Sequence, residues 1–181
     1  MTSVAEQRLT ETSYAVLGLL DQWGPATPYQ LKQLAQVSIF HFWSIPHTQI
    51  YTECARLADA GLLKERREEG GRRRRIFELS ASGRKALDEW RDDPAAEMYE
   101  LRDPGLLKLF CGADPEPLAR AQLEQHERRL AAYEEMHDAN MPSGMRLALE
   151  GGIAHQREYV RFWSRVLRES SKASDREKVT R

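Results

Sequence analysis

The sequence has few of the features that mark secreted, membrane-bound or disulfide-rich proteins. Its 181 residues include only two cysteines, Cys54 and Cys111, which are too few for a disulfide framework. The longest apolar run, AVLGLL at residues 15–20, is far shorter than the roughly 20 residues that a membrane span needs. The first ten residues lack the basic and apolar regions of a signal peptide. We therefore expect a cytoplasmic protein with no membrane partner.

A catalytic or metal-binding pattern is missing as well. The five histidines are spread from residue 41 to residue 155, and none has cysteine or acidic neighbours at metal-ligand spacing. The EGG triplet at residues 150–152 has neither the preceding strand nor the lysine of a phosphate-binding loop. No nucleophile is paired with a general base in a recognisable motif. The sequence predicts no enzyme activity, no metal and no cofactor.

Net charge of one sign is also absent, because 27 Lys and Arg residues nearly balance 28 Asp and Glu residues. Any electrostatic function must therefore depend on local clustering. One cluster is present: between residues 64 and 85 there are nine basic residues and only four acidic ones. Its centre, KERREEGGRRRRIF at residues 64–77, contains four consecutive arginines after a Gly-Gly pair.

The first half of the chain has the periodicity of short helices followed by a hairpin. We expect one helix from Thr10 to Trp23 and a second that begins at Pro28, with Thr27 as its N-cap. An aromatic connection at residues 37–46, which we expect to be buried, leads to a third, amphipathic helix. Its predicted apolar face consists of Ile50, Cys54, Leu57 and Ala58.

Two strands and a fourth helix complete this half. Gly70-Gly71 is a two-residue hairpin signal between strands at residues 62–69 and 72–80, and SGRKALDEW then predicts a helix. The fold class is mainly α with a small β-hairpin wing. We assign residues 1–92 to a winged helix-turn-helix domain.

The second half, residues 93–181, is predicted to be an α-helical dimerisation arm, with a frayed tail from about residue 170. Its two long helices carry apolar stripes that one small domain does not bury unaided, so we predict a homodimer in which partner helices cover them. The predicted dimerisation residues are Leu123, Leu130, Tyr133, Leu149, Ile153, Val160, Trp163 and Leu167.

The polar side of the third helix is the candidate base-reading surface. Polar helix faces are most often plain solvent surface, but here a basic hairpin follows at once, which is the order found in DNA-binding winged helices. In the major groove Gln can bond adenine and Arg can bond guanine. The candidate DNA contacts on this helix are His47, Thr48, Gln49, Tyr51, Thr52 and Arg56.

The arginines of the hairpin are the second candidate DNA contact. With Gly70-Gly71 as the turn, Arg67 faces Arg74 and Arg66 faces Arg75, whereas acid-base pairs lie nearer the tip. Like charges directly opposite destabilise a hairpin unless a polyanion neutralises them, which favours a phosphate-binding wing. A solvated charge run with no target is the alternative. The candidate phosphate contacts are Arg66, Arg67, Arg72, Arg73, Arg74 and Arg75.

Several of these stretches resemble a known family in their order and spacing. YAVLGLL, TPYQLKQL, QIYTECARLADAGLL and RRRIFELSASGRKALDEW are similar to the PadR family of bacterial transcriptional regulators, and ELRDPGLLKLFCG with the helices after it is similar to the C-terminal arm of its longer, Vir-like members. Thr52 and Cys54 stand where the family usually has Pro and Leu. The resemblance implies a DNA-binding repressor or activator that dimerises through its C-terminal helices, reads an inverted repeat in double-stranded DNA, and is released by a small aromatic or other apolar effector.

Together, these features favour a dimeric, sequence-specific DNA-binding transcriptional regulator, a repressor released by a small effector. Trp90 and Trp163 are the candidate effector contacts, although large aromatic residues more often belong to cores and interfaces. The alternative is a winged helix that serves as a protein-interaction module. That alternative accounts for the near-neutral charge, but it does not account for a self-repelling arginine stem.

Overall fold

The computed structural model describes residues 8–39, 42–68, 74–96, 98–136 and 141–179, with side chains up to residue 172. The chain divides into two compact units, Met1–Glu97 and Met98–Arg181. The first unit contains α1 (Glu11–Trp23), α2 (Pro28–Ser38), α3 (His47–Asp59), β1 (Leu63–Arg67), β2 (Arg75–Leu79) and α4 (Ala81–Asp92). The second contains α5 (Pro104–Phe110), α6 (Pro115–Glu135) and α7 (Ser143–Val179). The predicted fold class, mainly α with a small hairpin, is confirmed.

The first two helices begin at reciprocal caps. Thr10 and Ser13 form a capping box at the start of α1, and Thr27 and Gln30 form another at the start of α2. Each box satisfies backbone N–H groups that would otherwise lack partners at a helix N-terminus. Pro28 follows the second cap at the first helical position, where its missing N–H group costs nothing. These local signals place both helix starts within one residue of the prediction.

The core of the first unit contains side chains from all four helices and from both strands. The predicted apolar face of α3 is confirmed, since Ile50, Cys54 and Leu57 are fully buried and Ala58 packs against the same cluster. The buried residues of this core are Val16, Leu17, Leu19, Leu20, Ala26, Leu31, Ala35, Ile45, Ile50, Cys54, Leu57, Leu63, Phe77, Leu79 and Leu87.

The hairpin is attached to this core through Phe77, which is fully buried. The N–H group of Phe77 donates to the carbonyl oxygen of Ala26 at 2.9 Å, and the N–H group of Ala26 donates to the carbonyl oxygen of Phe77 at 3.0 Å. These bonds add the segment before α2 to the edge of β2. The position of the wing relative to α2 is therefore fixed by backbone hydrogen bonds as well as by apolar packing.

The register of the hairpin differs from the prediction by one residue. Leu63 pairs with Leu79, and Arg67 pairs with Arg75, so that Arg66 lies opposite Ile76. The predicted pairs Arg66–Arg75 and Arg67–Arg74 are wrong. The observed register places two buried leucines opposite each other on the core face, and a slip of one residue would set Leu63 against a charged partner. Residues 69–73, including the predicted Gly70-Gly71 turn, lie outside the described residues.

The aromatic connection before α3 is less buried than expected. Of the described residues between 37 and 46, Ile45 is buried, whereas Val37, Phe42 and Trp43 are exposed. Ile45 suffices to anchor the start of α3 because it lies one residue before Pro46, the N-cap of that helix.

The second unit is organised by an antiparallel pair, α6 and α7. Tyr133 near the end of α6 packs with Leu149 and Ile153 near the start of α7. Closer to the middle of both helices, the side chains of His126 in α6 and Gln156 in α7 are hydrogen-bonded. The predicted seam is therefore covered largely within one chain. Tyr133, Leu149, Ile153 and Trp163 are buried without a second protomer, and Leu123, Leu130, Val160 and Leu167 are half-buried. The expectation that only a partner helix could bury these stripes is wrong, because α6 covers α7.

The end of the chain also differs from the prediction. Instead of fraying from about residue 170, α7 continues as a helix to Val179. Hydroxyl groups of Ser170 and Ser171 donate to the carbonyl oxygen of Leu167 within this stretch. Within the described residues, none of the helices combines the length and the apolar character that crossing a membrane requires.

The close approach of α4 to the loop after α3 gives a test of the first unit. A methyl group added at Gly83 would overlap the carbonyl oxygen of Leu62, so we expect Gly83→Ala to destabilise the domain by about 1–3 kcal/mol. Gly18→Ala in α1 is the matched control, since a methyl group there meets no atom within 4 Å. We expect this substitution to raise the free energy of unfolding by about 1 kcal/mol at most, because alanine favours a helix more than glycine does. Urea unfolding measures both, and equal stabilities would contradict the observed packing.

Candidate nucleic-acid interface

The exposed side of α3 carries most of the polar residues that the sequence analysis selected. His47, Thr48, Gln49, Tyr51 and Thr52 are all exposed, opposite the buried apolar face. The hydroxyl group of Thr52 donates to the carbonyl oxygen of Thr48 at 3.0 Å, which leaves its oxygen lone pairs able to accept. The side-chain amide of Gln49 has no hydrogen-bond partner among the described residues and can offer both its donor and its acceptor to a ligand.

Arg56 is the exception, because its side chain does not extend from this face. Its guanidinium group holds Glu53 through two hydrogen bonds, Nε to Oε2 at 3.0 Å and Nη2 to Oε1 at 2.5 Å, and Nη2 also donates to Ser13 Oγ of α1 at 2.8 Å. Burial alone would raise the pKa of Glu53, but the hydrogen bonds from Arg56 and Ser13 lower it below its ordinary range. Arg56 is thus engaged within the protein, and the expectation that it points away from the core is wrong.

The wing carries two kinds of arginine. Arg75 forms a bidentate pair with Glu65, at 2.8 and 2.6 Å, and its guanidinium group lies 5.1 Å from the centre of the Phe77 ring. These hydrogen bonds lower the pKa of the Glu65 carboxyl, and Arg67 lies 3.7 Å from the same carboxylate. Arg66 and Arg74, by contrast, are exposed and have no ion-pair partner among the described residues.

The self-repelling stem inferred from the sequence is therefore not present in that form. One arginine pair, Arg67 and Arg75, does lie directly opposite, but Glu65 sits between their charges. Among the described arginines of the wing, those left for a ligand are Arg66 and Arg74. Arg72 and Arg73 lie outside the described residues.

A groove of about 610 Å³ connects the wing with two helices. One wall is the first turns of α2, a second is Tyr51 of α3, and the third is Arg74 and Arg75 at the start of β2. Hydroxyl, amide and guanidinium donors line it, and such groups contact phosphate oxygens in nucleic-acid complexes. The lining residues are Thr27, Pro28, Tyr29, Gln30, Gln33, Tyr51, Arg74 and Arg75.

The sequence analysis missed the contribution of α2 to this groove. Tyr29 is exposed and lies one residue after Pro28, and Gln33 donates to the Tyr29 hydroxyl group at 3.3 Å. A signal was present: large polar residues on the first turn of a capped helix lie where backbone N–H groups and the helix dipole favour an anion. The distance of α2 from the wing along the chain hid their proximity.

The two candidate effector contacts lie in different settings. The Trp90 ring stacks on Tyr14, with ring centres 4.6 Å apart and an angle of 9° between the planes, and it remains 47% exposed. Trp163 is fully buried, and a methyl group added at Gly105 would lie 2.9 Å from its ring. Ligand contact with Trp163 would require α5 to move, whereas Trp90 is accessible as it stands. Among the described residues, no group of three or more His, Cys, Asp or Glu side chains could hold a metal ion.

Two family models match the chain, one in each unit. The model of the transcriptional regulator PadR-like family matches residues 16–89, and the model of the virulence activator alpha C-terminal region matches residues 101–170. A curated relative, the negative transcriptional regulator PadR of Bacillus subtilis (strain 168), is 27% identical in an alignment 174 positions long that covers 85% of this chain and 94% of that protein. The chain carries a PadR-like family domain followed by a virulence activator alpha C-terminal region.

Solved structures share the PadR-like fold. Bacillus subtilis PadR in complex with operator DNA gives a TM-score of 0.77 at 24% identity, covering 89% of this chain and 99% of that one. The same protein in complex with p-coumaric acid gives 0.73 at 22% identity, over 90% and 99% of the two chains. The Vibrio cholerae virulence activator AphA gives 0.64 at 24% identity, over 89% and 98%. The chain thus has the winged-helix fold with a C-terminal helical region that these proteins share, and its homologues are transcriptional regulators rather than enzymes.

The buried side of α3 in this PadR-like protein can be tested by thiol chemistry. Burial raises the pKa of the Cys54 thiol to about 12, whereas Cys111 is exposed. Because only the thiolate reacts, we expect iodoacetamide at about pH 8 to label Cys111 and spare Cys54 in the native protein, and to label both in guanidinium chloride. Mass spectrometry of tryptic peptides reads out the labelling. Equal rates at both thiols in the native protein would show that α3 is not packed as described.

Proposed function

We propose that this PadR-like protein is a dimeric regulator that reads a specific DNA operator, represses transcription and is released by a small apolar or aromatic effector. The observation that carries the proposal is the common position of three surfaces on the first unit. Tyr51 from the exposed side of α3 and the unpaired Arg74 of the wing both line the groove, and Arg66 is exposed on β1 of the same wing. Together they match the needs of a DNA ligand, since base edges require polar readers and phosphates require cationic donors.

In this arrangement the exposed side of α3 enters the major groove. Gln49 is the best candidate for direct reading, because its unpaired amide can form the bidentate contact with adenine. Thr48 and Thr52 lie beside it and offer hydroxyl groups to neighbouring bases. His47 lies in the first turn of α3, and Tyr51 also lines the groove. We expect both side chains to contact the phosphate backbone.

The groove and the wing bind the backbone. Tyr29 and Gln33 on one side and Arg74 on the other are separated by a space that one DNA strand can occupy. Arg66 extends the cationic surface along β1. Arg67 and Arg75 share the charge of Glu65 and contribute less, because a carboxylate already neutralises them.

The operator itself is accessible to a direct experiment. Purified protein incubated with sheared genomic DNA of its host should retain a small set of fragments that share an inverted repeat, with half-sites one helical turn or a multiple of it apart. Retained fragments without a common sequence would contradict specific reading. No retention above a denatured-protein control would contradict DNA binding altogether and favour a protein-interaction role.

Part of the predicted seam is covered within the chain, so we propose that exposed apolar residues of α5 and α7 add to it in the dimer contact. The second unit leaves Leu107 and Phe110 of α5 at 61% and 88% exposure, and Leu147 of α7 is exposed too. Burying a leucine or phenylalanine side chain completely is worth about 1.5–3 kcal/mol, so these side chains favour association. The half-buried Val160 and Leu167 of the predicted seam have apolar surface left for the same contact. We place the dimer interface on the second unit, where α5 adds to α7.

An effector has an accessible site at Trp90. The stacked pair of Trp90 and Tyr14 presents a flat aromatic surface that is half-exposed, and planar aromatic molecules stack on such surfaces. Bacillus subtilis PadR has been crystallised with p-coumaric acid, a planar aromatic acid, which makes this compound a suitable first probe. Because α1 and α4 both pack in the core that supports α3, a ligand here can bias the reading helix.

The wing proposal predicts a change in salt dependence. Replacing Arg66 and Arg74 by Gln removes up to two phosphate contacts per wing and four per dimer, which should lower the magnitude of the log-log salt slope by roughly 3–4. Operator and unrelated DNA should lose affinity alike, since phosphate contacts carry no sequence information. Lys85→Gln, which removes an exposed cation from α4, is the control. An unchanged slope in the double variant would identify the wing arginines as a solvated charge run.

The dimer proposal predicts that charged substitutions in α5 weaken the association of two chains. Replacing Leu107 and Phe110 by Glu should shift the equilibrium towards monomer at micromolar concentration, because two charged groups would replace apolar surface at the contact. Lys108→Glu changes the charge of the same helix without removing apolar surface and should leave the dimer intact. Sedimentation velocity distinguishes the species, and a double variant that stays dimeric would exclude α5 from the interface.

The effector proposal predicts reciprocal binding. Titration with p-coumaric acid should quench tryptophan fluorescence and weaken operator binding, and saturating operator must weaken ligand binding by the same factor. Trp90→Leu should abolish both effects, whereas Trp23→Leu, which changes another partly exposed tryptophan, should preserve them. A ligand whose affinity for the protein is the same with and without saturating operator would not be an inducer.

A further inference from the structure

The contact between α1 and α3 contains a polar network that the sequence analysis assigned elsewhere. Arg56 and Glu53 belong to α3, and Ser13 and Thr10 belong to the first turn of α1. Ser13 is fully buried, and Glu53 is 7% exposed. The network therefore occupies the interior edge of the recognition helix and makes no use of its outer face.

Each member of the network is held by more than one hydrogen bond. Ser13 Oγ accepts from the N–H group of Thr10 at 2.8 Å and from Arg56 Nη2 at 2.8 Å, and it lies 3.2 Å from the Thr10 hydroxyl group. The Arg56 guanidinium group meets the Glu53 carboxylate with Nε and Nη2. The capping box of α1 and the ion pair of α3 are thus one continuous set of bonds.

The geometry points to a function for Arg56 as a positioning residue that fixes the rotation of α3 about its own axis, and so aims the base-reading side chains. This inference rests on the proposed function, since it concerns how the operator is read. Gln49 lies one turn before Glu53 and two turns before Arg56, on the same stripe of α3. Whatever holds Glu53 and Arg56 at a fixed angle therefore holds Gln49 at that angle too.

Apolar packing alone controls this angle weakly. The hydrophobic effect has no preferred direction, so a small rotation of α3 about its axis changes the free energy gained by burying Ile50, Cys54 and Leu57 only slightly. Hydrogen bonds, by contrast, weaken steeply when their geometry is lost. A helix with its side chains is about 10–12 Å across, so a roll of about 20° moves a side-chain tip by roughly 2 Å. A bidentate contact with a base edge does not survive a displacement of that size.

A role in stabilising the fold explains the network less well than a role in positioning α3. Buried ion pairs often contribute little net stability, because desolvation of the two charges offsets their attraction, and apolar replacements of both partners can be neutral. Here one carboxylate, one guanidinium group and one hydroxyl group meet at a single contact between two helices, where directionality is the property that an apolar contact lacks. Loss of the network should therefore affect reading more than folding.

The test separates positioning from direct reading of a base by Arg56. The variants are Ser13→Ala, Arg56→Met and the double variant Glu53→Met with Arg56→Met, and the measurement is the ratio of affinities for operator and for unrelated DNA. We expect each to lower the ratio by about tenfold or more, the scale of one good base contact, with unrelated-DNA affinity and salt slope unchanged. Arg84→Met is the matched control, because it removes an arginine that pairs with Asp21 of α1 and not with a residue of α3.

Ser13 supplies the decisive comparison. It is fully buried in α1 and cannot touch DNA, so a normal ratio in Ser13→Ala with a low ratio in Arg56→Met would overturn positioning and restore Arg56 as a base reader. Selection from randomised operators adds a second readout: positioning predicts relaxed preference at every base that α3 reads, whereas direct reading predicts relaxation at one.

Stability and the proposed function are controlled separately. Thermal unfolding of the double variant should stay near that of the wild type. Equal losses of affinity for operator and for unrelated DNA, which leave the ratio unchanged, would indicate simple unfolding and overturn the inference. If the wild type itself shows no preference for any DNA, the proposed function fails. If the wild type discriminates and all three variants discriminate equally well, only the positioning role fails.

Discussion

Burial of Phe77 is the constraint on which the DNA-facing surface depends. This side chain is completely enclosed by the helical core, and its backbone exchanges two hydrogen bonds with Ala26 just before α2. That attachment fixes β2, and the burial of Leu63 opposite Leu79 sets the register of β1 and so the side of the hairpin on which each arginine lies. The same attachment brings the wing beside the first turns of α2, where the groove forms. Apolar packing thus determines where the cationic groups are offered.

Local signals in the sequence predicted much of the fold. Thr27 before Pro28 marks a helix start, and the spacing of Ile50, Cys54 and Leu57 marks a buried helix face; both are short-range features. The register of the hairpin was not predictable from Gly70-Gly71 alone, because burial of Leu63 and Leu79 outweighs the preference of a turn. Tyr29 was missed for a related reason, since its proximity to the wing depends on long-range packing.

Two wrong expectations share one physical cause, which is that a sequence does not show which partner satisfies a side chain. Arg56 has the spacing of an exposed reader but finds Glu53 on its own helix and Ser13 on α1. The stripe of α7 has the spacing of an interchain seam but is covered by α6. In both cases a partner within the chain was available, and the side chain was buried there. Among the described residues, Gln49, Arg66 and Arg74 have no such partner within the chain, and Leu107 and Phe110 of α5 remain exposed.

Site-directed DNA cleavage tests the central claim most directly. A DNA-cleaving iron chelate can be attached to a cysteine at position 49 or 66, in a protein whose exposed Cys111 has been replaced by Ser and whose buried Cys54 we expect to remain unlabelled. The account predicts that the chelate at position 49 cuts within each half-site of the operator, and that the chelate at position 66 cuts in the flanking backbone. Cleavage from position 66 at the centre of the half-site, with none from position 49, would contradict it.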